Sequence, residues 1–284
     1  MITRAFERVR LLVRSSHPGP TAAVTVLSAL LATALGYSTA RILVIAVAIL
    51  LGQLSIGLSN DWLDARRDSS VGRTDKPVAQ GLLSVSTVRR AALSTLVVAL
   101  AVSIALGRAA FLCHALFLAS AWAYNLGLKR SRVSVIPFIV GFGALPAIVT
   151  FAGAEGSPPA LWAVAVGAVF GVSIHFTNVL PDLDDDARTD VAGLPQLLGG
   201  RVSGIVAFVA LVVAALLVFF GPPVEHPGTP FGVVAGIGLL VAVVIAAVGI
   251  RLVITRPPSR LLFRLVIVAS LVIAVELVVG GTRL

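Results

Sequence analysis

Apolar residues in this chain come in long unbroken stretches, not in the alternation of a half-buried strand or the one-sided stripe of a soluble helix. Nine such runs occupy residues 20–37, 41–59, 88–106, 109–127, 133–152, 159–180, 202–221, 230–250 and 261–280. Each approaches the roughly 20 residues that an α-helix needs to cross a bilayer core. Turn-forming residues part them: Gly107-Arg108, Gly156-Ser157-Pro158-Pro159 and Gly221-Pro222-Pro223. Ahead of the first run, residues 2–16 (ITRAFERVRLLVRSS) place apolar residues at helical spacing with arginines between them. That pattern predicts an amphipathic helix lying in the membrane interface. His17-Pro18-Gly19-Pro20 then turns the chain into the first span, and His17 reads as a turn residue. The pattern as a whole predicts an all-α integral membrane protein, one domain over residues 1–284, with about nine transmembrane helices.

Composition agrees: 58% of residues are hydrophobic and 12% charged, about half the charged content of a typical soluble domain. The mean hydropathy is +1.02. The formal charge of +9 in a soluble protein would suggest nucleic acid as a partner, but no stretch is left over for a soluble basic domain. The basic residues flank the apolar runs instead. With nine spans, nearly all fall on one side, and only Arg41, Arg108 and Arg283 fall on the other. The positive-inside rule then puts the N-terminus in the cytoplasm and the C-terminus outside. The Ala-, Val-, Arg- and Gly-rich spelling fits a high-GC bacterial source and hence a plasma membrane. The single cysteine, Cys113, allows no internal disulfide and reads as a small buried residue. Nothing in the pattern calls for an obligatory protein partner.

The carboxylates are sorted as sharply. Asp61, Asp64, Asp68 and Asp75 follow the second apolar run; Asp182, Asp184, Asp185, Asp186 and Asp190 follow the sixth. Within these segments Asn60, Asp64 and Asp68 are four apart, and so are Asn178, Asp182 and Asp186. Residues at i, i+4 and i+8 stack on one helix face, so the same device is written twice at cytoplasmic span ends. Like charges in such a row repel, and polar groups beside hydrocarbon are expensive. A divalent cation removes that cost, and oxygen-only donors favour magnesium over zinc. Magnesium commonly binds one or two carboxylates together with substrate phosphates. A solvated acidic helix end is the plain alternative; the repeat of the spacing argues against it. Basic residues lie near both segments: Arg73 and Lys76 after the first, and Tyr124, Lys129 and Arg130 at the end of the fourth run. Positive charge there would serve a departing diphosphate. Arg66, Arg67, Arg89 and Arg90 read as ordinary flanking charges.

The motif Asn60-Asp61-x-x-Asp64-x-x-x-Asp68, with Asp182-x-x-x-Asp186 later, resembles the UbiA superfamily of intramembrane prenyltransferases. Arg73-Thr74-x-Lys76-Pro77, Tyr124 with Lys129-Arg130, and Gly193-Leu194-Pro195 resemble further family stretches, although Lys76 stands where arginine is common. The resemblance spans nearly the whole chain. It implies helices around a central cavity, capped on the cytoplasmic side by segments 60–87 and 181–201. It implies Mg2+ held by Asn60, Asp64, Asp68, Asn178, Asp182 and Asp186, and an isoprenyl diphosphate bound by Arg73, Lys76, Lys129 and Arg130. Asp61, Asp68, Lys76, Tyr124 and Lys129 are the expected catalytic residues. The reaction implied is ionisation of the donor and capture of the allylic group by a lipophilic acceptor, with membrane lipids around the protein.

Two other readings stay open. A terpene cyclase of the same superfamily would use the same metal site without an acceptor. A transporter would place polar groups at mid-membrane, where this chain has few. An aromatic or quinone-precursor acceptor is favoured, because no surplus of basic residues awaits a sugar phosphate. His175, one turn before Asn178, reads as a packed histidine; His114 and Glu276 are further polar groups inside apolar runs.

Overall fold

The computed structural model describes residues 2–189, 191–221, 230–257 and 259–280, without the side chains of 2–5, 230, 231, 270, 274 and 277–280. Asp190, Pro222-Pro223, Arg283 and the C-terminus lie outside the described residues, as does the side chain of Arg4. Eleven α-helices run along the described chain, with no strand among them: α1 (Ile2–Ser15), α2 (Pro18–Ala34), α3 (Thr39–Ser70), α4 (Val85–Ile104), α5 (Arg108–Leu126), α6 (Ile136–Phe151), α7 (Leu161–Val179), α8 (Leu183–Ala187), α9 (Leu194–Phe220), α10 (Pro230–Thr255) and α11 (Arg260–Gly280). Among the described residues six helical stretches are long and apolar enough to cross a membrane: α3, α4, α5, α7 continued through α8, α9, and α10 from Gly232. Helices α2 and α6 are apolar but have 17 and 16 residues. Every predicted run meets a helix, while length and composition alone assign six crossings.

The packing order explains the cavity. Helix α3 packs on α2, α4 and α5; α6 joins α5 to α7; α9 joins α7 to α10; and α11 packs on both α10 and α2. The last long helix thereby closes a ring against the first, with α4 outside it. The ring's outer surface is apolar. On α10, Val233, Ile237, Leu240, Val244 and Val248 are exposed at helical spacing, an arrangement stable in lipid and not in water. Inside, Ile45, Ile49, Leu118, Ile148, Phe208 and Leu211 are fully buried.

Three local features depart from the sequence pattern. Helix α3 does not stop at residue 60 but runs on to Ser70, so the first acidic row is helix and not loop. The second row is broken: α7 ends at Val179, residues Leu180–Asp182 form a 3-10 turn, and α8 follows. Pro181 is the cause, because it has no N–H to continue the ladder and its ring crowds the preceding turn. Asn178, Asp182 and Asp186 therefore do not stack on one helix. Finally, α9 begins at Leu194 and kinks at Gly199 (φ 75°). The predicted span from residue 202 starts just after that kink, and the turns before it belong to the cap.

A close approach at α3 sets the position of the chain entering α2. A Cβ at Gly57 would lie 2.3 Å from the Ser16 carbonyl oxygen, so only glycine lets the α1–α2 link press onto α3 here. Gly57→Ala is expected to lower stability in detergent by about 1–3 kcal/mol through overpacking. Gly236→Ala, whose Cβ would meet nothing nearer than 3.7 Å, should leave it within about 0.5 kcal/mol, as surface-like changes do. Thermal unfolding of the two variants in one detergent checks this.

Candidate active site

The site begins where α3 leaves the apolar layer. Asn60, Asp61, Asp64 and Asp68 occupy consecutive turns, and all three carboxylates are buried. Buried carboxylates need partners, and the end of α3 supplies them. Gly72 (φ 71°) takes the left-handed conformation that closes a helix. The Arg73 N–H then caps the Asp68 carbonyl at 3.0 Å, and the Gly72 N–H caps that of Ser69 at 3.3 Å. This reversal folds residues 73–76 back over the acidic row. Lys76, 6% exposed, brings its Nζ to 2.8 Å from Asp68 Oδ2, 3.2 Å from Asp61 Oδ1 and 3.1 Å from Asn60 Oδ1. Burial works against its charge, yet the Asp61 and Asp68 carboxylates outweigh that and hold its pKa above the usual lysine value.

Arg67 joins the two acidic segments. Its guanidinium reaches Asp64 (3.4 Å) and Asp68 (3.2 Å) on its own helix and Asp186 of α8 (3.0 Å). Gln196 of α9 donates to the other Asp186 oxygen at 2.7 Å. Arg73 grips Asp75 with two nitrogens (2.9 and 3.1 Å) and reaches Asp182 at 2.8 Å. The Asp75 hydrogen bonds raise the Arg73 pKa, and the Asp75 carboxyl, bonded by Arg73 and by Arg260, sits far below the usual carboxylate range. Lys129, buried in the 3-10 turn after α5, pairs with Asp64. Burial, with the charges of Arg67 and Lys76, keeps its pKa below the usual lysine value despite that partner. Asn178 is exposed, and Arg130 is exposed with no side-chain partner among the described residues.

Below this ionic layer lies a cavity of about 180 Å³. Asn60 and Asn178 stand at its end nearest that layer; Phe117, Tyr124, Phe138 and Phe142 form an aromatic wall. Tyr124 and Phe138 meet edge to face at 4.9 Å. His175 lies behind that wall, 4.8 Å from Phe138, with Nε2 3.1 Å from Ser134 Oγ. Ser134 Oγ in turn accepts the Leu194 N–H at 3.0 Å, so His175 packs and braces the start of α9. His114 bonds Ser103 at 2.5 Å within the α4–α5 contact, and Glu276 is buried against Gly238; neither lines the cavity.

A model of the UbiA prenyltransferase family matches residues 22–270. The chain belongs to the UbiA prenyltransferase family. It is similar in fold to a UbiA homologue from Aeropyrum pernix K1, with 18% identity, a TM-score of 0.72 and coverage of 94% of this chain and 98% of that one. A UbiA homologue from Archaeoglobus fulgidus bound to GPP and Mg2+ matches at 13% identity and a TM-score of 0.69, covering 95% and 99%. A digeranylgeranylglyceryl phosphate synthase matches at 14% and 0.65, covering 98% and 100%. Comparison with curated protein sequences gives no significant match.

Within this UbiA fold the oxygen donors of the two segments suit a hard divalent cation. Asp61 Oδ2 is buried with no hydrogen-bond partner, although Lys76 and His17 both face its other oxygen. Among the described residues no three carboxylate, imidazole or thiol groups already form a metal cluster, because Arg67, Lys76 and Lys129 stand between the carboxylates. Sequence reading assigned Arg67 to the flanking charges; its side chain is 15% exposed and it holds both segments together. Its neighbour Arg66 is exposed, and only the helical register of 64, 67 and 68 separates the two. Asn125 was also missed: it donates to Ser59 Oγ at 2.8 Å and accepts from Asn60 at 3.3 Å, fixing that amide. Arg67→Met strips three buried carboxylates of a shared partner. It is expected to cost about 3–5 kcal/mol, as breaking a buried ion pair does, against under about 1 kcal/mol for Arg66→Met; thermal unfolding of both variants decides it.

Proposed function

We propose that this chain is a magnesium-dependent prenyltransferase that moves an isoprenyl group from its diphosphate to a lipophilic acceptor inside the membrane. The observation that carries the reading is the stacking of two layers: paired acidic and basic side chains at one end, and directly beneath them an aromatic cavity. Family membership and the GPP and Mg2+ bound to the Archaeoglobus homologue support the donor and the metal.

In this reading Asn60, Asp64, Asp68, Asn178, Asp182 and Asp186 hold the metal. Bound there, magnesium supplies the positive charge that the departing diphosphate requires. Lys76, Lys129 and Arg73 provide cationic donors on the same layer, and Arg130, free on the surface, meets the diphosphate as it arrives. Buried lysines positioned before the reaction need little reorganisation as charge develops, which is where electrostatic catalysis is strongest. Asp61 and Asp68 hold Lys76 charged and in place. The aromatic wall takes the isoprenyl tail, and Tyr124 lines the same cavity as Asn60. Its ring, with those of Phe138 and Phe142, keeps water from the allylic cation.

Diphosphate release from geranyl, farnesyl and geranylgeranyl diphosphates, measured with magnesium or EDTA and with or without phenolic and quinone-precursor acceptors, tests the proposal. Release should require magnesium and an acceptor. Release without an acceptor, giving a hydrocarbon or alcohol, would turn the reading into a cyclase. Asp64→Ala and Asp182→Ala should each lower turnover by more than about 100-fold, on the scale of losing an electrostatic catalytic group, while the protein still inserts and folds. Near-normal turnover in both would sink the metal assignment. Lys76→Ala should weaken donor affinity, read as a rise in KM.

A further inference from the structure

We infer that the cavity takes an uncharged, hydroxyl-bearing acceptor, and that His17, oriented by Asp61, receives that acceptor's proton; this rests on the prenyltransferase reading. Prenylation leaves a proton to be disposed of, and none of the residues placed in the donor site above is suited to take it. The metal-binding carboxylates are committed, and Lys76 and Lys129 are held in ion pairs with Asp68 and Asp64.

His17 is placed for the task. It lines the cavity at the link between α1 and α2, beside Thr21 and Gln53 and across from the aromatic wall. Among the described lining residues no side chain is Lys, Arg, Asp or Glu, and His17 and Tyr124 are the titratable ones. A carboxylate or phosphate on the acceptor would therefore enter the cavity without a cation to meet it, at a large desolvation cost. A hydroxyl can be solvated by Thr21, Gln53 and His17. Tyr124, with the high ordinary pKa of a phenol, is no base near neutrality.

The orientation of His17 is also specified. Its Nε2 lies 3.5 Å from Asp61 Oδ1, an oxygen buried to 1% exposure and shared with Lys76. A proton on Nε2 facing that carboxylate leaves Nδ1 as the basic nitrogen, since the partner of one ring nitrogen sets the state of the other. The imidazole is 44% exposed, so a proton taken from the cavity has a route to water. Asp61 on α3 faces it, and Lys76 in the cap shares that carboxylate.

The backbone carries the independent sign. His17, at φ 54° and ψ 68°, is the one non-glycine residue with positive φ among those described. It also precedes Pro18, a position that favours extended backbone. Glycine would occupy this turn without strain. Strain of this kind persists where the surroundings hold a side chain to a purpose, and the close seat of Ser16 on Gly57 supplies that hold. In the step itself, the donor's C1–O bond breaks and its electron pair leaves with the diphosphate. A new bond forms from C1 to the acceptor, at its oxygen or, in a phenol, at the conjugated ring carbon, whose own hydrogen then shifts to the oxygen to restore the aromatic ring. The hydroxyl proton passes to His17 Nδ1 and from there to water.

The test uses the full chain in detergent with magnesium and geranylgeranyl diphosphate. Its acceptors are 1-naphthol, a long-chain alcohol, and 1-hydroxy-2-naphthoate as the charged analogue. Diphosphate release and prenylated product are measured separately for the wild type, His17→Gly and His17→Asn. Product should form on the neutral acceptors in preference to the naphthoate. Both variants should lose product formation, and the acceptor-dependent diphosphate release coupled to it, by about 100-fold or more, the scale of general-base catalysis. Added imidazole should restore part of the His17→Gly rate, which a turn residue would not require, and His17→Gly should unfold at no lower temperature than the wild type. Wild-type product rates in both variants, no imidazole rescue, preference for the naphthoate, or diphosphate release with no product on either neutral acceptor would each overturn the inference. Failure of the wild type to release diphosphate from any donor would instead strike the prenyltransferase reading itself.

Discussion

Everything else in this molecule is arranged around one electrostatic constraint: carboxylates held at the edge of a hydrocarbon layer must be neutralised. Asp61, Asp64, Asp68 and Asp186 are all buried. Unpaired, each would cost several kcal/mol of desolvation. Arg67 resolves this for the two segments at once, because it bonds α3 and α8 simultaneously. The Gly72 turn brings Arg73 and Lys76 back over the row, and Lys129 closes it from the end of α5. Segments separated by more than a hundred residues thus become one ionic layer. The layer is strong because its members are shared: most carboxylates have more than one partner, and Arg67 has three.

The apolar side follows from the ring of helices. Closing α11 against α2 leaves an interior that the aromatic side chains of α5 and α6 line without filling. Polar groups touch this interior from the α1–α2 link, α2 and α3, joined by Tyr124 and Asn125 of α5 and Asn178 of α7. Charged side chains gather in one layer and aromatic ones in another. The interface between them is a few amides, with Asn60 held by Asn125, Lys76 and Asp64. That fixed amide joins the ionic layer to the cavity.

Much of this could be read from the residues. The apolar runs gave the helices, because a stretch of about 20 apolar residues has few other stable states in a bilayer. The repeated four-residue spacing of Asn60, Asp64 and Asp68 marked the site, and on α3 that spacing is helical in fact. The same spacing misled at Asn178, Asp182 and Asp186, where Pro181 breaks the helix; proline outranks periodicity there. Arg67 was hidden because an arginine at a span end is ordinary on composition, and its role depends on a partner in distant α8. His17 was hidden for a related reason. A histidine before a proline reads as a turn, and it is a turn, but only the fold brings Asp61 beside it. Local rules placed the elements; the residues that bridge elements needed the tertiary contacts.

The central claim is that the two acidic segments act as a single cation-binding unit that assembles with the donor's diphosphate. Electron paramagnetic resonance of Mn2+ as a magnesium substitute measures this directly. The ion would be titrated into the purified protein with and without a non-reactive isoprenyl thiodiphosphate, in the wild type and in variants altered in one segment at a time. The account predicts that the analogue tightens ion binding and that neutralising either segment abolishes this mutual tightening. Ion binding that ignores the analogue, or that survives intact when either segment is neutralised, would contradict it.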